Sequence, residues 1–241
     1  MADILSDAEA LRYNRQIVLP QIDFDGQERL KLAHVAIIGL GGLGCAAAQY
    51  LAASGVGTLT LVDFDTVSLS NLQRQVLHTD ARIGQPKVDS AKTALCALNP
   101  HCQIHTIDTD LDDDGLRDVV TKADVVVDCC DNVATRNRLD QLCQQCQTPL
   151  VFGAAIRMEG QLSVFTYQPN TPNYRSISRL FGENTLSCVE AGVLSPIVGI
   201  VGTLQAMETL KLLLNIGEPL VGKLLLIDAL SMQFNTLKLP A

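Results

Sequence analysis

The run Gly39-Leu-Gly41-Gly42-Leu-Gly44 leaves this chain few folds to choose from. Its spacing is G-x-G-x-x-G. It joins the apolar segment His34-Val-Ala-Ile-Ile-Gly39 to an alanine-rich stretch over about 43–54. A strand, a glycine turn and a helix in that order let backbone N–H groups approach a phosphate at the helix N-terminus, where the dipole favours anions. Asp63 ends the next strand, Thr58-Leu-Thr-Leu-Val-Asp63. An acid at that place can hydrogen-bond a ribose hydroxyl. The motif points to a nucleotide without saying which, and the bland alternative is a tight strand–helix turn. NAD is a common occupant of such loops, so a dehydrogenase is the first rival.

The rest of the chain repeats this alternation. A helix is expected over 6–19, with Ser6 and Glu9 placed as a capping box. Further strands read at 103–108, 124–129, 149–153, 161–167, 223–228 and 232–239. Helices read over 86–98, 132–146 and 192–214, with a short acidic one after Asp108 and Pro86 in the favoured first-turn position. Residues 169–190 read as irregular. Fully apolar early strands alternating with helices imply an α/β, Rossmann-like, mainly parallel sheet with helices on both faces. The later strands have shorter connections and imply an antiparallel C-terminal extension. Residues 1–241 read as a single domain.

Composition narrows the function. Hydrophobic residues make up 47% and charged residues 18%, enough apolar mass for a core and too little charge for disorder. The net charge of −8 argues against the basic surface of a nucleic-acid binder. No basic region followed by an apolar stretch opens the chain, so no secretory signal is expected. Segments 32–62 and 191–207 lack charge, but glycines interrupt the first, and Pro196, Gly199 and Gly202 lie in the second. Both read as buried segments of a protein with no membrane role. Eight cysteines without framework spacing suggest a reduced, cytoplasmic protein. Gly217 to Lys223 has P-loop spacing, but Leu224 stands where a hydroxyl is needed, so it reads as a turn.

A polar cluster follows Asp63: Asp65-Thr-Val-Ser-Leu-Ser70-Asn71-Leu72-Gln73-Arg74-Gln75. Asn71, Gln73 and Arg74 can bind phosphate oxygens, Arg74 with bidentate donors. Lys87 opens a helix, where a cation opposes the dipole. It is either a solvated lysine or one with a phosphate partner. Asp131 follows the strand 124–129 and is either an N-cap or a magnesium ligand at a strand's carboxyl end. Together these groups suit a triphosphate with a metal better than a hydride carrier.

Several segments carry a resemblance: Arg12-Tyr-Asn-Arg15-Gln, Gly39–Gly44, Asp63-Phe-Asp65, Ser70-Asn-Leu-Gln-Arg74-Gln, Gln85-Pro-Lys87, Asp128-Cys-Cys-Asp131-Asn, Gly153–Gln161 and Cys188-Val-Glu-Ala-Gly192. They resemble the MoeB/ThiF/ubiquitin-activating family over nearly the whole chain. Asp23-Phe-Asp-Gly26, Gly153–Gln161 and Ser178-Arg-Leu-Phe-Gly182 look like its molybdopterin branch rather than its thiamine branch.

The resemblance implies an adenylyltransferase that uses ATP and magnesium on the C-terminal glycine of a ubiquitin-like sulfur carrier ending in Gly-Gly. It implies a homodimer. Gly39, Gly41, Gly42 and Gly44 would form the phosphate loop, and Asp63 would hold the ribose. Ser70, Asn71, Leu72, Gln73 and Arg74 would wrap the nucleotide. Lys87 would neutralise charge at the α-phosphate, Asp131 would hold magnesium, and Arg15 would reach the partner's site. Cys188 is a loop cysteine or a reactive thiol. Carriers of another pathway, such as thiamine biosynthesis, and a non-catalytic carrier binder are alternatives. The family's structural zinc is expected to be absent: Asn173 and Ser176 stand at two ligand positions, and the second C-x-x-C pair has no counterpart before Ala241. Segment 169–190 is then expected to lose a clamp.

Overall fold

A computed structural model describes residues 4–181 and 191–240. One eight-stranded sheet runs through it in the order β3-β2-β1-β4-β5-β6-β7-β8. The strands are β1 (His34–Ile38), β2 (Thr58–Val62), β3 (Gln103–Ile107), β4 (Val125–Asp128), β5 (Leu150–Ile156), β6 (Glu159–Phe165), β7 (Lys223–Asp228) and β8 (Gln233–Lys238). The first five are parallel and the last three antiparallel, as the sequence implies. The helices are α1 (Asp7–Arg12), α2 (Asn14–Ile17), α3 (Asp23–Leu32), α4 (Gly42–Ala53), α5 (Lys87–Leu98), α6 (Asp113–Lys122), α7 (Val133–Cys146), α8 (Tyr174–Phe181) and α9 (Ser195–Leu214).

Period-two alternation sends successive side chains of one strand to opposite faces. Val35 and Ile37 therefore pack with Leu51 of α4, Ala91 and Leu95 of α5, and Ala206 of α9. Ala36 and Ile38 pack on the other face with Val120 of α6, Leu139 of α7 and Ile177 of α8. Both faces are apolar because both are covered, which is why the early strands carry continuous Val, Ile and Leu. α9 is long and apolar enough to cross a membrane by composition, but it packs against α4, β5 and β6 and buries Gln205, Glu208 and Thr209.

Three local expectations change, and one helix goes unannounced in the sequence. The N-terminal helix breaks at Tyr13 into α1 and α2, although the Ser6–Glu9 capping box forms. Tyr13 turns inward, and its hydroxyl accepts from buried Asn99. Pro86 is the N-cap of α5 rather than its first residue. α3 has almost no apolar periodicity to announce it, yet it buries Gly26, Gln27 and Leu30. The stretch expected to be irregular contains α8. Its start is tied down by the Tyr174 N–H donating to Asp140 Oδ1 at 3.0 Å and by the Tyr174 ring 5.1 Å from Phe152.

Candidate active site

Register places the site. Ile38 pairs with Val62 and with Asp128, and Val62 pairs with Ile107, so four parallel strands end in one row. The chain leaves β1 toward β2 on one side and returns to β4 on the other. That crevice, outside the carboxyl ends of the strands, is where open α/β sheets bind ligands. Gly39, Asp63 and the Cys129–Asp131 turn all emerge there.

Three of the four loop glycines are explained by internal packing. Gly39 has φ +96°, and a Cβ there would meet the Cys129 carbonyl oxygen at 2.7 Å. A Cβ on Gly42 would meet Val198 of α9 at 2.6 Å, and one on Gly44 the Gly39 carbonyl oxygen at 1.9 Å. Gly41 differs: a Cβ would meet nothing nearer than Gln75 Nε2 at 3.8 Å. Among the described residues no side chain caps the N-terminus of α4. The open side of Gly41 beside uncapped amides is a cradle of the kind that phosphate fits.

Asp63 closes one side of the cradle. Its Oδ2 accepts from the Leu40 N–H at 2.6 Å and its Oδ1 from the Asp65 N–H at 2.9 Å. Burial pushes its carboxyl above the usual range, against the pull of Lys87 and those two N–H donors. Lys87 is buried despite its charge. Its Nζ donates to Asp65 Oδ2 at 2.6 Å and lies 4.0 Å from Asp63 Oδ1. The ammonium is therefore not a solvated one: its partner is a carboxylate of the segment that follows β2. Ser70 and Asn71 sit on a 3-10 turn, Leu69–Asn71, with Leu72, Gln73 and Arg74 directly after it. The Arg74 guanidinium donates back to the Ser70 carbonyl at 3.2 Å.

Asp131 is exposed and makes no hydrogen bond or ion pair among the described residues. The N-cap of α7 is its neighbour Asn132, whose Oδ1 accepts from Thr135 N–H at 2.8 Å, so capping is not the role of Asp131. A free carboxylate at a strand's carboxyl end suits a hard, oxygen-seeking cation such as magnesium. Arg15 is exposed on α2 and lies away from the loop of its own chain. Its neighbour Gln16 donates to the Ser54 carbonyl at 2.9 Å, just beyond the far end of α4. Gly42 begins that helix, about 18 Å away along its axis. Cys188 lies outside the described residues.

Several groups to which sequence motifs assign no role also stand here. Asp65 is the nearer partner of Lys87. Gln75 is buried, its Oε1 has no partner among the described residues, and it faces Gly41. Beneath the Asp131 turn, Asp128 accepts from Cys130 N–H at 2.9 Å, and Arg136 donates to the Cys130 carbonyl at 2.5 Å. Gln205 of α9 donates to the Asp128 carbonyl at 2.7 Å. Position in the Asp63–Gln75 and Asp128–Asn132 motifs signals Asp65, Gln75 and Asp128. Nothing in sequence signals Gln205, whose partners lie far along the chain.

Fold and cluster together define a nucleotide-binding α/β protein of Rossmann type. Residues 13–241 match the ThiF family, and the chain belongs to it. It is 63% identical over 236 residues to the molybdopterin-synthase adenylyltransferase of Haemophilus influenzae, across 98% of this chain and 97% of that protein. It is 60% identical over 235 residues to the Escherichia coli K12 protein of the same name, across 98% and 94%. Among solved structures, selenomethionine PaaA superposes with a TM-score of 0.84 at 26% identity, covering all of this chain and 76% of that one.

The glycines yield a contrast. Gly41→Ala is expected to fold with unchanged urea stability and to lose ATP affinity by at least about tenfold, because its methyl fills the cradle. Gly44→Ala is expected to lose stability by about 1–3 kcal/mol or more through overpacking. Equal effects of both on stability would remove the cradle argument.

Proposed function

We propose that this protein uses ATP to adenylate the C-terminal glycine of a ubiquitin-like sulfur carrier in molybdenum cofactor biosynthesis. The observation that carries this reading is the buried Lys87 ammonium, held beside the Gly41 cradle in a chain of this family. A carboxylate attacking the α-phosphorus, with the α–β bridging P–O bond breaking and pyrophosphate leaving with the electron pair, needs no general base, since it is already ionised at neutral pH. What the site must supply is position and positive charge where negative charge develops. Asp63 orients the ribose, the loop amides and Arg74 hold the phosphates, and Lys87 is the cation that meets the developing charge. Asp131 would hold magnesium, which when bound neutralises phosphate charge.

The carrier would end in Gly-Gly, and the enzyme would work in the cytoplasm as a homodimer of one-domain chains. Arg15, distant from its own loop, would complete the partner's site. Structural zinc would be absent, since an amide and a hydroxyl at 173 and 176 are poor ligands for it. The anchoring of α8 through Asp140, Phe152 and Tyr174 would serve in its place.

Carrier-dependent ATP–pyrophosphate exchange tests the activity. A molybdopterin-pathway carrier should drive exchange and a thiamine-pathway carrier should not; carrier binding without exchange would mean a non-catalytic relative. Asp131→Asn should fold normally and raise the magnesium concentration for half-maximal exchange by about tenfold or more, as expected for a lost carboxylate ligand. An unshifted magnesium curve would remove Asp131 as the ligand. Mixing Arg15→Ala chains with Arg74→Ala chains should restore part of the exchange through hybrid dimers, and no recovery despite proven subunit exchange counts against sharing. Elemental analysis of protein purified without chelator should find no stoichiometric zinc; zinc retained through dialysis would overturn that point.

A further inference from the structure

We propose that His78 is a positioning residue for the nucleotide: a buried relay through its ring locks Leu40 of the glycine loop to the helix that carries Lys87. The proposal rests on the reading of that loop as the phosphate cradle. His78 is buried. Its Nε2 lies 3.2 Å from the Leu40 carbonyl oxygen and its Nδ1 2.9 Å from Ser90 Oγ. A carbonyl can only accept, so Nε2 carries the proton, and Nδ1 accepts from the Ser90 hydroxyl. The relay thus fixes one neutral tautomer. Burial pushes the imidazole below its ordinary range, which favours that neutral form.

The consequence follows from peptide planarity. All peptide bonds in the described residues are trans. In a trans peptide the C=O and the next N–H point in opposite directions. With the Leu40 carbonyl held inward by His78, the N–H of Gly41 is turned away from the core, toward the loop's open side. Cys45 adds a weaker thiol contact to the same carbonyl at 3.4 Å. The Leu40 N–H is fixed separately by Asp63 at 2.6 Å. Both backbone polar groups of Leu40 are therefore held before any ligand arrives. Ser90 stands on α5 close after Lys87, so the same relay ties the loop to the element that presents the ammonium.

Two substitutions separate the halves of the relay. His78→Asn keeps an acceptor near the Nδ1 position and cannot reach the Leu40 carbonyl. His78→Gln keeps a donor near the Nε2 position. In full-length protein, ATP binding is titrated with magnesium present, and exchange kinetics are measured with the carrier. His78→Asn is expected to raise the Kd and KM for ATP about tenfold, with kcat within about twofold and the carrier KM unchanged; His78→Gln should stay within about threefold of wild type. A merely structural role would instead lower the active fraction and leave every KM alone. Wild-type ATP affinity in His78→Asn, or equal weakening in both variants, overturns the proposal. If His78→Asn does not fold, Ser90→Ala carries the test: a raised KM for ATP at constant kcat supports the relay, and an unchanged one overturns it. Gly41→Ala is the control, and wild-type ATP affinity there would sink the cradle reading and the proposal with it.

Discussion

A missing carbon atom governs the geometry of this molecule. The first turn of α4 rests on the end of β1 so closely that a Cβ on Gly44 would stand 1.9 Å from the Gly39 oxygen. α9 repeats the device against α4, where a Cβ on Gly202 would meet the Leu43 oxygen at 2.3 Å. Strand, helix and helix are thus stacked backbone to backbone. This aims the uncapped amides of α4 at the crevice, and interiors packed at crystal-like density transmit such placement without slack.

Electrostatics build on that frame. The protein is acidic overall, and its site is acidic too: Asp63 and Asp65 flank one buried lysine, and Asp131 follows β4 at the same end of the sheet. Position gives each acid a different task. Asp63 accepts one backbone donor of the loop on each oxygen and keeps lone pairs to spare, Asp65 neutralises Lys87, and Asp131 has no partner within the described chain. Three carboxylates in one crevice are distinguished by their hydrogen bonds rather than by their chemistry.

Much of this was legible in sequence. Apolar runs bounded by glycine or aspartate mark β1, β2 and β4, and the motifs after them name Gly41, Asp63, Arg74, Lys87 and Asp131. What escaped was tertiary. α3 mixes charged and apolar residues without helical period, so its burial depends on a groove that only the fold creates. α8 is anchored by Asp140, an acid on another helix with no sequence sign of its partner. Asp131 and Asn132 are adjacent and both competent caps, and only backbone geometry chooses between them. His78 and Gln205 act on carbonyls of distant segments, which no local spacing can reveal.

The Lys87–Asp65 pair has a thermodynamic corollary. The ammonium is already satisfied in the free protein, so a polyphosphate arriving beside it exchanges one ionic partner for another and does not gain a new one. Affinity at this point is a difference between two ion pairs. Dissolved salt weakens both members of that difference. On the proposed reading, salt acts on both sides of the exchange and so is partly offset at this lysine, and an incoming anion has to outcompete a carboxylate 2.6 Å away.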